Sequence, residues 1–334
     1  MISGFGRCAL GGTLAAILAG CGAPPSAVAL PSDGAPMDAL RIATRAAHPD
    51  RAPSWMAPEA SHQNLLYLSD VGTDDVYVYS YPKGTLVGTL TGFANPLREC
   101  SDQDGDVFIT NTGDKDILEY RHGDKSPVAT LRDHGQIPVD CAFDPATGNL
   151  AVTNYGPTGY NVGSVSIYKH ARGVPKIYKD PQLIAYLFCA YDNAGNLFVN
   201  ALNFNYDYVF VELPKGATKF ERIRLDHSFI GWGSVQWDGK YVAIGDGSTT
   251  VYRFVVKQNK ARETGVIHLR RATNVVQFWI QGRTVIGPDG PDGGNKDVGF
   301  WNYPRGGDAT QTLSGPFENP SGATVSQASG AQRR

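Results

Sequence analysis

The chain has 334 residues, with 30 Lys and Arg against 32 Asp and Glu, for a formal net charge of −2. A near-neutral chain without a Lys/Arg run argues against nucleic acid as a partner, and beyond the N-terminus no apolar run is long enough to cross a bilayer as a helix. With 39 glycines and 21 prolines the chain is turn-rich, and it is long enough for one large core or two modest ones.

Arg7 gives a minimal positive start and Ala9–Leu18 a short apolar run of small residues, the pattern of an export signal. The run ends in Leu18-Ala19-Gly20-Cys21, which resembles a bacterial lipobox. That resemblance implies cleavage before Cys21, diacylation of its sulfur and a membrane anchor; an ordinary secretory signal with an incidental Cys21 is the plainer alternative. Gly22 in place of Asp resembles an outer-membrane sorting signal, placing the protein in the periplasm or at the cell surface. Residues 22–60 hold seven prolines among Ala, Ser and Asp, too little apolar surface to offset ordering entropy. The expected organisation is a signal over 1–20, Cys21 with a tether to residue 60, a domain over 61–327 and a loose tail over 328–334. A short helix over Asp38–Ala47 is possible, and Trp55 and Met56 are candidates to dock on the domain.

From Asn64 a repeat takes over. Asp192–Asn200 reads DNAGNLFVN, Asp102–Asn111 reads DQDGDVFITN, Asp144–Asn154 reads DPATGNLAVTN and Asp238–Asp246 reads DGKYVAIGD. Each has an acidic residue, a tight glycine turn and an alternating run that buries one face of a strand. Asn64–Asp70 and Gly282–Asp289 fit more loosely, which makes six hairpins. The residues that end the second strands, Asp70, Asn111, Asn154, Ala201, Asp246 and Asp289, stand at intervals of 41, 43, 47, 45 and 43. A third alternating strand follows each, as in Val76–Ser80, Ser164–Tyr168 and Tyr208–Leu213, and a fourth leads to the next hairpin. Four strands in a period of about 40–50 residues predict an all-β fold, a six-bladed β-propeller of four-stranded antiparallel blades.

Tyr81-Pro-Lys-Gly84 and Thr89-Leu-Thr-Gly-Phe-Ala-Asn-Pro96 recur as Tyr303-Pro-Arg-Gly306 and Thr312-Leu-Ser-Gly-Pro-Phe-Glu-Asn-Pro320. The first copy runs into the inner strand Leu97–Ser101. By analogy Gly322–Gln327 is an inner strand left without a blade of its own. It is expected to join the first blade beside Leu65–Leu68, closing the ring and removing free sheet edges.

Over roughly Asn64–Gln327 the D-x-x-G-N-L-F/Y-V-T-N phrase is similar to NHL-repeat and YVTN-type propellers, and more distantly to the six-bladed gluconolactonase and senescence-marker family. The Tyr81–Gly84 and Trp279–Gly282 phrases resemble those of bacterial propeller lipoproteins, which brings architecture and location without an activity. The gluconolactonase resemblance would imply a divalent metal held by a Glu and Asn or Asp on the channel face. The chain lacks that family's glutamate-glycine-proline, asparagine-glycine and serine-proline-aspartate stretches, so no catalytic residue carries over.

Turns after second strands share one face with the links between blades. Asp70, Asn111, Asn154, Asp246 and Asp289 are therefore expected around one channel mouth, with Asn200 nearby. Such a ring suits Ca2+ or another divalent cation, although Asn and Asp also end strands simply by capping turns. His134 and His227 occupy equivalent links, each after an Asp (Asp133, Asp226) able to orient an imidazole. Gly287–Asp297, with Asp289, Asp292, Asn295 and Asp297, could wrap calcium but lacks EF-hand spacing. Tyr155, Tyr160, Phe204, Tyr206 and Trp232 stand in loops or at strand ends, where aromatic faces can hold sugars or peptides, and Trp232, between two glycines, is expected to be exposed. Cys100, Cys141 and Cys189 stand just before hairpin-opening Asp residues. As equivalent positions of successive repeats they are expected to lie too far apart for a disulfide and to serve as buried small hydrophobes. No phosphate loop, dinucleotide fingerprint or zinc-protease motif is present.

The reading that follows is a lipid-anchored, exported, monomeric propeller that binds a protein or small molecule at the envelope. The alternatives are a metal-dependent hydrolase or lactonase using the polar mouth, and a scaffold subunit of an envelope complex.

Overall fold

The computed structural model describes residues 52–133, 136–156, 162–229, 231–290 and 293–328. The expected export signal, Cys21, Asp38–Ala47, His134, Tyr160, Asp292 and the last six residues lie outside the described residues.

The described chain is all-β in a propeller arrangement, with two short 3-10 turns as its helical content. Strands form where alternation predicts them. Leu65–Asp70, Asp75–Ser80 and Leu86–Leu90 make one meander, and Pro96–Ser101, Val107–Asn111, Asp116–Tyr120 and Ala129–Arg132 make the next. Ile137–Phe143, Leu150–Tyr155, Ser164–Tyr168 and Lys176–Tyr178 follow, then Leu183–Tyr191, Leu197–Asn203, Tyr208–Leu213 and Glu221–Arg222.

Sheet sizes depart from a uniform four. The third and fourth meanders join through Tyr155 opposite Ala185 and form one eight-stranded sheet. The next sheet runs Val235–Trp237, Val242–Gly245, Thr250–Lys257 and the long Lys260–Arg270, flanked by the parallel pieces Arg224–Leu225 and Gly307–Asp308. The last holds Trp279–Gln281, Thr284–Asp289, Asp297–Asn302 and Gln311–Leu313. Parallel additions were invisible to a pattern search, because two-residue strands carry no alternation.

The C-terminal strand Pro320–Ser326 pairs antiparallel with Leu65–Asp70, from Leu65 opposite Ser326 to Asp70 opposite Pro320. It occupies the inner position of the first sheet, as the duplicated Tyr-Pro phrases imply. The chain's last described strand is thus hydrogen-bonded to its earliest meander, and Leu65–Asp70 has a paired strand on each side. The outer edge of the same sheet is covered as well. Trp55–Met56 pairs with Leu86–Leu90, and Ala57 N–H donates to Val87 O at 2.7 Å. Trp55 and Met56 dock on the domain.

Apolar side chains fill the spaces between successive meanders. Leu65, Tyr67 and Val78 meet Val107, Ile109 and Tyr120; Phe108 and Ile117 meet Cys141, Leu150 and Val152. Phe188, Phe198 and Phe210 meet Val235, Ile244 and Phe254. The circle closes where Leu66, Leu68 and Tyr79 pack on Ile286, Val298 and Phe300, with Ala323 and Val325 of the closing strand between them. Burial of this kind stabilises by roughly 25 cal/mol per Å² of apolar surface.

Cys100 and Cys141 form a disulfide, with Cα atoms 5.7 Å apart. This corrects the expectation of isolated cysteines. The two lie on inner strands of adjacent meanders, and inner strands converge toward the axis, so equivalent positions come within bridging reach. Cys189 is free and buried.

Candidate functional site

The turns that follow second strands, and the links from one meander to the next, share the upper face of the ring. Asp70 is wholly buried there. Its Oδ1 accepts N–H bonds from Gly72 (2.8 Å), Thr73 (3.1 Å) and Asn319 (2.9 Å), and its Oδ2 accepts from Glu318 (2.8 Å). Burial pushes its carboxyl up, against those four donors. Asp289 accepts from Thr273 N–H at 2.8 Å, Asn274 N–H at 2.7 Å and the Asn295 amide at 2.7 Å. Asp246 accepts from the N–H groups of Ser248 and Thr250 at 2.8 and 3.1 Å. Asn111 accepts from Ala94 N–H at 2.7 Å and donates to Asp114 and Asp116. Asn154 is buried and donates to Ser164 and Ser166, while Asn200 accepts from Phe188 N–H and donates to Gly233 O. These side chains tie turns together, the capping role that Asn and Asp play at strand ends. Among the described residues no group of three His, Cys, Asp or Glu is placed to hold a metal ion.

His227 stacks on Tyr252, ring centroids 4.0 Å apart, and its Nδ1 lies 3.1 Å from Glu263 Oε2. Asp226, expected to orient it, instead accepts Glu263 N–H at 2.8 Å. Asp133 accepts the Ser166 hydroxyl at 2.8 Å. Trp232, expected to be exposed, is half-buried against the core cluster around Phe188 and Val235. The correction has a local cause: the Gly231 and Gly233 backbones run against Asp246 and Gly245, so the link lies flat on the neighbouring strand.

Phe204 and Tyr206 are exposed on this face, at 55% and 62%. They sit in the turn Asn203–Asp207. Asn203 is its template: its Oδ1 accepts the N–H groups of Asn205 (2.8 Å) and Asp207 (2.9 Å), and its amide donates to Asp207 Oδ2 at 2.9 Å. Tyr206 N–H also donates to Asn203 O at 2.9 Å, and Tyr206 sits at φ 63°. Two large aromatic side chains are thus held outward on a pre-folded turn, where binding costs little ordering entropy.

At the axis, inner strands are stitched to one another by short polar side chains. Ser321 Oγ donates to Leu97 O at 2.9 Å and Ser234 Oγ to Phe278 O at 3.3 Å, and from the second strand Leu150–Tyr155 Thr153 Oγ1 donates to Leu187 O at 2.8 Å. Gln277 makes a two-way tie to Ala323, donating to its carbonyl at 3.0 Å and accepting its N–H at 2.8 Å.

Around Pro96–Ser101 and Ile137–Phe143 the stitching is done by ionisable side chains, which reach the strands on either side as well. Arg98 donates to Val139 O at 3.1 Å and lies 4.4 Å over the Phe188 ring. Glu99 accepts Ser69 N–H at 3.1 Å and the Ser69 hydroxyl, and Asp140 accepts Cys189 N–H at 3.0 Å. All three are buried. Burial pushes Glu99 up to about 8 and Asp140 up to about 7, while lowering Arg98 to about 10. Sequence reading passed over these residues because it looked at turns and strand ends, whereas Arg98, Glu99 and Asp140 sit within inner strands. Charged side chains inside an otherwise apolar inner strand were the available signal.

No protein family and no curated protein sequence matches the chain. Among solved structures it is similar to a chain in the crystal structure of a nidogen/laminin complex, with 12% identity and a TM-score of 0.65 over 79% of this chain and 99% of that one. It is also similar to a protein of unknown function from Bacteroides caccae, with 10% identity and a TM-score of 0.61 over 79% of this chain and 98% of that one. At these identities the likeness is one of fold. A total of 1109 solved chains match, a breadth that ties the fold to no single activity.

Proposed function

We propose that the protein is a binding module: an exported, lipid-anchored propeller of six four-stranded blades that recognises a partner with its upper face. The observation that carries this reading is the Asn203–Asp207 turn, which holds Phe204 and Tyr206 in solvent by four hydrogen bonds centred on Asn203. Exposed aromatic side chains on a rigid turn are the residues that dominate binding energy at protein interfaces. Asp70, Asp246, Asp289, Asn111 and Asn200 at the mouth are taken up by backbone donors, which favours a scaffolding role for them over metal-assisted hydrolysis.

A count of six is supported by the pairing within the eight-stranded sheet, where one residue pair joins two four-strand meanders. Apolar layers between successive meanders support it too, the last returning to the first. Export is supported by the Cys100–Cys141 disulfide, a linkage that persists in oxidising compartments. The lipobox at Cys21 supports anchoring at the envelope.

The test replaces Tyr206 with a photo-crosslinking aromatic residue in cells that make the protein. A discrete adduct is expected, and none when the same residue replaces Lys240 on the opposite face. No adduct at Tyr206, or the same adducts from both positions, would remove the upper face as the recognition surface. Mass spectrometry of the mature N-terminus tests the anchor separately, with a diacylated Cys21 as the expected result.

A further inference from the structure

The hairpins joining third and fourth strands all project from the lower face, at its outer rim. Every meander places an exposed cation there: Lys83, Arg121, Arg172, Lys215, Lys257 and Arg305. The upper face is different. Its turns and links have an acidic excess, with Asp114, Asp180, Asp207, Asp226, Asp246 and Glu318 against Lys115, Lys179, Arg271 and Lys296. A chain that is nearly neutral overall therefore separates its charge across the ring, which the linear sequence conceals because the cations recur only once per repeat.

Acidic residues also occur on the lower face: Asp124 and Asp308 lie among the rim cations, and others sit nearer the axis, in the hairpins joining first and second strands. Asp102 accepts N–H bonds from Asp104 and Asp106, Asp192 accepts from Ala194 and Asn196, and Asp238 holds Arg253 at 3.0 Å. Among the described residues the rim cations form no ion pair, so their charge faces solvent. The third meander's hairpin adds Val174, 93% exposed between Gly173 and Pro175.

We propose that this lower rim rests on an anionic lipid surface. Cations spread around the whole circumference can all be met only by an extended, flat, negatively charged partner. A peptide or a single pocket-sized ligand would reach one or two of them. Anionic headgroups supply that plane, and Val174 is an apolar tip that can enter the headgroup layer beside Arg172. The inference stands apart from the binding role of the upper face, which it would leave directed away from the membrane.

The experiment uses the full chain with Cys21→Ser, so that no acyl chain contributes, and measures co-sedimentation with phosphatidylcholine vesicles with and without phosphatidylglycerol. Binding is expected only with phosphatidylglycerol and is expected to disappear at high salt, where charges more than about 3 Å apart are screened. Each cation removed is expected to weaken binding about fivefold. The triple variant Arg121→Glu, Arg172→Glu, Lys215→Glu is expected to lose more than about a hundredfold by the same arithmetic, with an unchanged unfolding temperature because all three side chains are exposed. Asp114→Lys, on the upper face, is the control and is expected to change nothing. Equal binding to both vesicles, retention of binding by the triple variant, or a gain from Asp114→Lys matching the loss per rim cation would overturn the proposal. Binding to a soluble polyanion such as heparin without binding to the vesicles would overturn it as well.

Discussion

Two seams of the ring can be set against each other. Where the last meander meets the closing strand, Gln277 ties both backbone groups of Ala323 with neutral hydrogen bonds. Over the next three junctions the same job falls to Glu99, Arg98 and Asp140 in turn, all buried and all ionisable, with the Cys100–Cys141 disulfide at the middle one. The neutral seam is indifferent to pH and redox state; the charged seam is sensitive to both. An apolar or amide stitch would serve as well for stability, since buried ions carry a desolvation cost that their mutual attraction only partly returns. The comparison teaches that closure and axial sensitivity are separate properties, carried by neighbouring strands.

The largest expected effect removes the neutral seam altogether. A chain ending before Pro320 leaves Leu65–Asp70 with an open inner edge and exposes the apolar layer around Leu66, Leu68 and Phe300. Calorimetry or urea titration of that truncation is expected to show no cooperative transition; a wild-type transition would mean that the closing strand is dispensable.

Next in size is the disulfide. Its loop spans 41 residues, and Cys100→Ala with Cys141→Ala is expected to cost about 2–4 kcal/mol. Thiol reductant should give the same loss, read as a lower urea midpoint with a steeper slope, because the unfolded chain expands once the crosslink is gone.

Gln277→Leu isolates the neutral seam. It strands two buried backbone groups of Ala323 and should cost about 1–3 kcal/mol, equally at every pH.

The charged seam should behave otherwise. Glu99 rises in the folded protein from an ordinary 4.5 to about 8 and Asp140 from 3.8 to about 7, both through burial. The folded ring therefore holds protons that the unfolded chain releases. This contribution to stability is fully present below the ordinary carboxylate range and is lost as pH rises through about 7 and about 8. Glu99→Gln keeps an acceptor for Ser69 N–H and cannot ionise. It should flatten part of the decline and be more stable than wild type on the alkaline side, by on the order of 1 kcal/mol or more. Asp102, raised to about 6 in the same direction, accounts for some of what remains. Identical pH profiles for the variant and wild type would contradict the assignment of Glu99 to the charged seam.

The smallest effects on stability belong to the aromatic turn. Tyr206→Ala is expected to shift stability by no more than about 0.5 kcal/mol, while Asn203→Ala, which releases the turn, should cost about 1 kcal/mol. Asn203→Ala, combined with the crosslinking residue at position 206, should abolish the adduct.

Much of the fold was legible because four-strand repeats write themselves in turn glycines and alternation. Ser164–Tyr168 and Tyr208–Leu213 fall where the pattern puts them, and the duplicated Tyr-Pro-Lys/Arg-Gly phrases located the closing strand. Sheet boundaries were not legible, because single-pair junctions such as Tyr155 with Ala185 and parallel two-residue additions leave no periodic trace. The disulfide was missed for a geometric reason: equivalent positions were treated as equally spaced, whereas spacing shrinks toward the axis. The mouth residues were grouped on one face as a matter of topology, and that pattern could not tell a ligand oxygen from a turn cap. Asp70, with four backbone donors on its two oxygens, shows how complete that second use can be. Phe204 and Tyr206 were visible as loop aromatics, but the template role of Asn203 required coordinates.

The ring itself is tested most directly by native-state hydrogen exchange at the closing strand. The amides of Thr324 and Ser326, together with Tyr67 and Leu65 opposite them, should exchange only through global unfolding, at the rate of the slowest inner-strand amides. Rapid, independent exchange across Pro320–Ser326, as in a frayed tail, would contradict closure and the placement of both faces that depends on it.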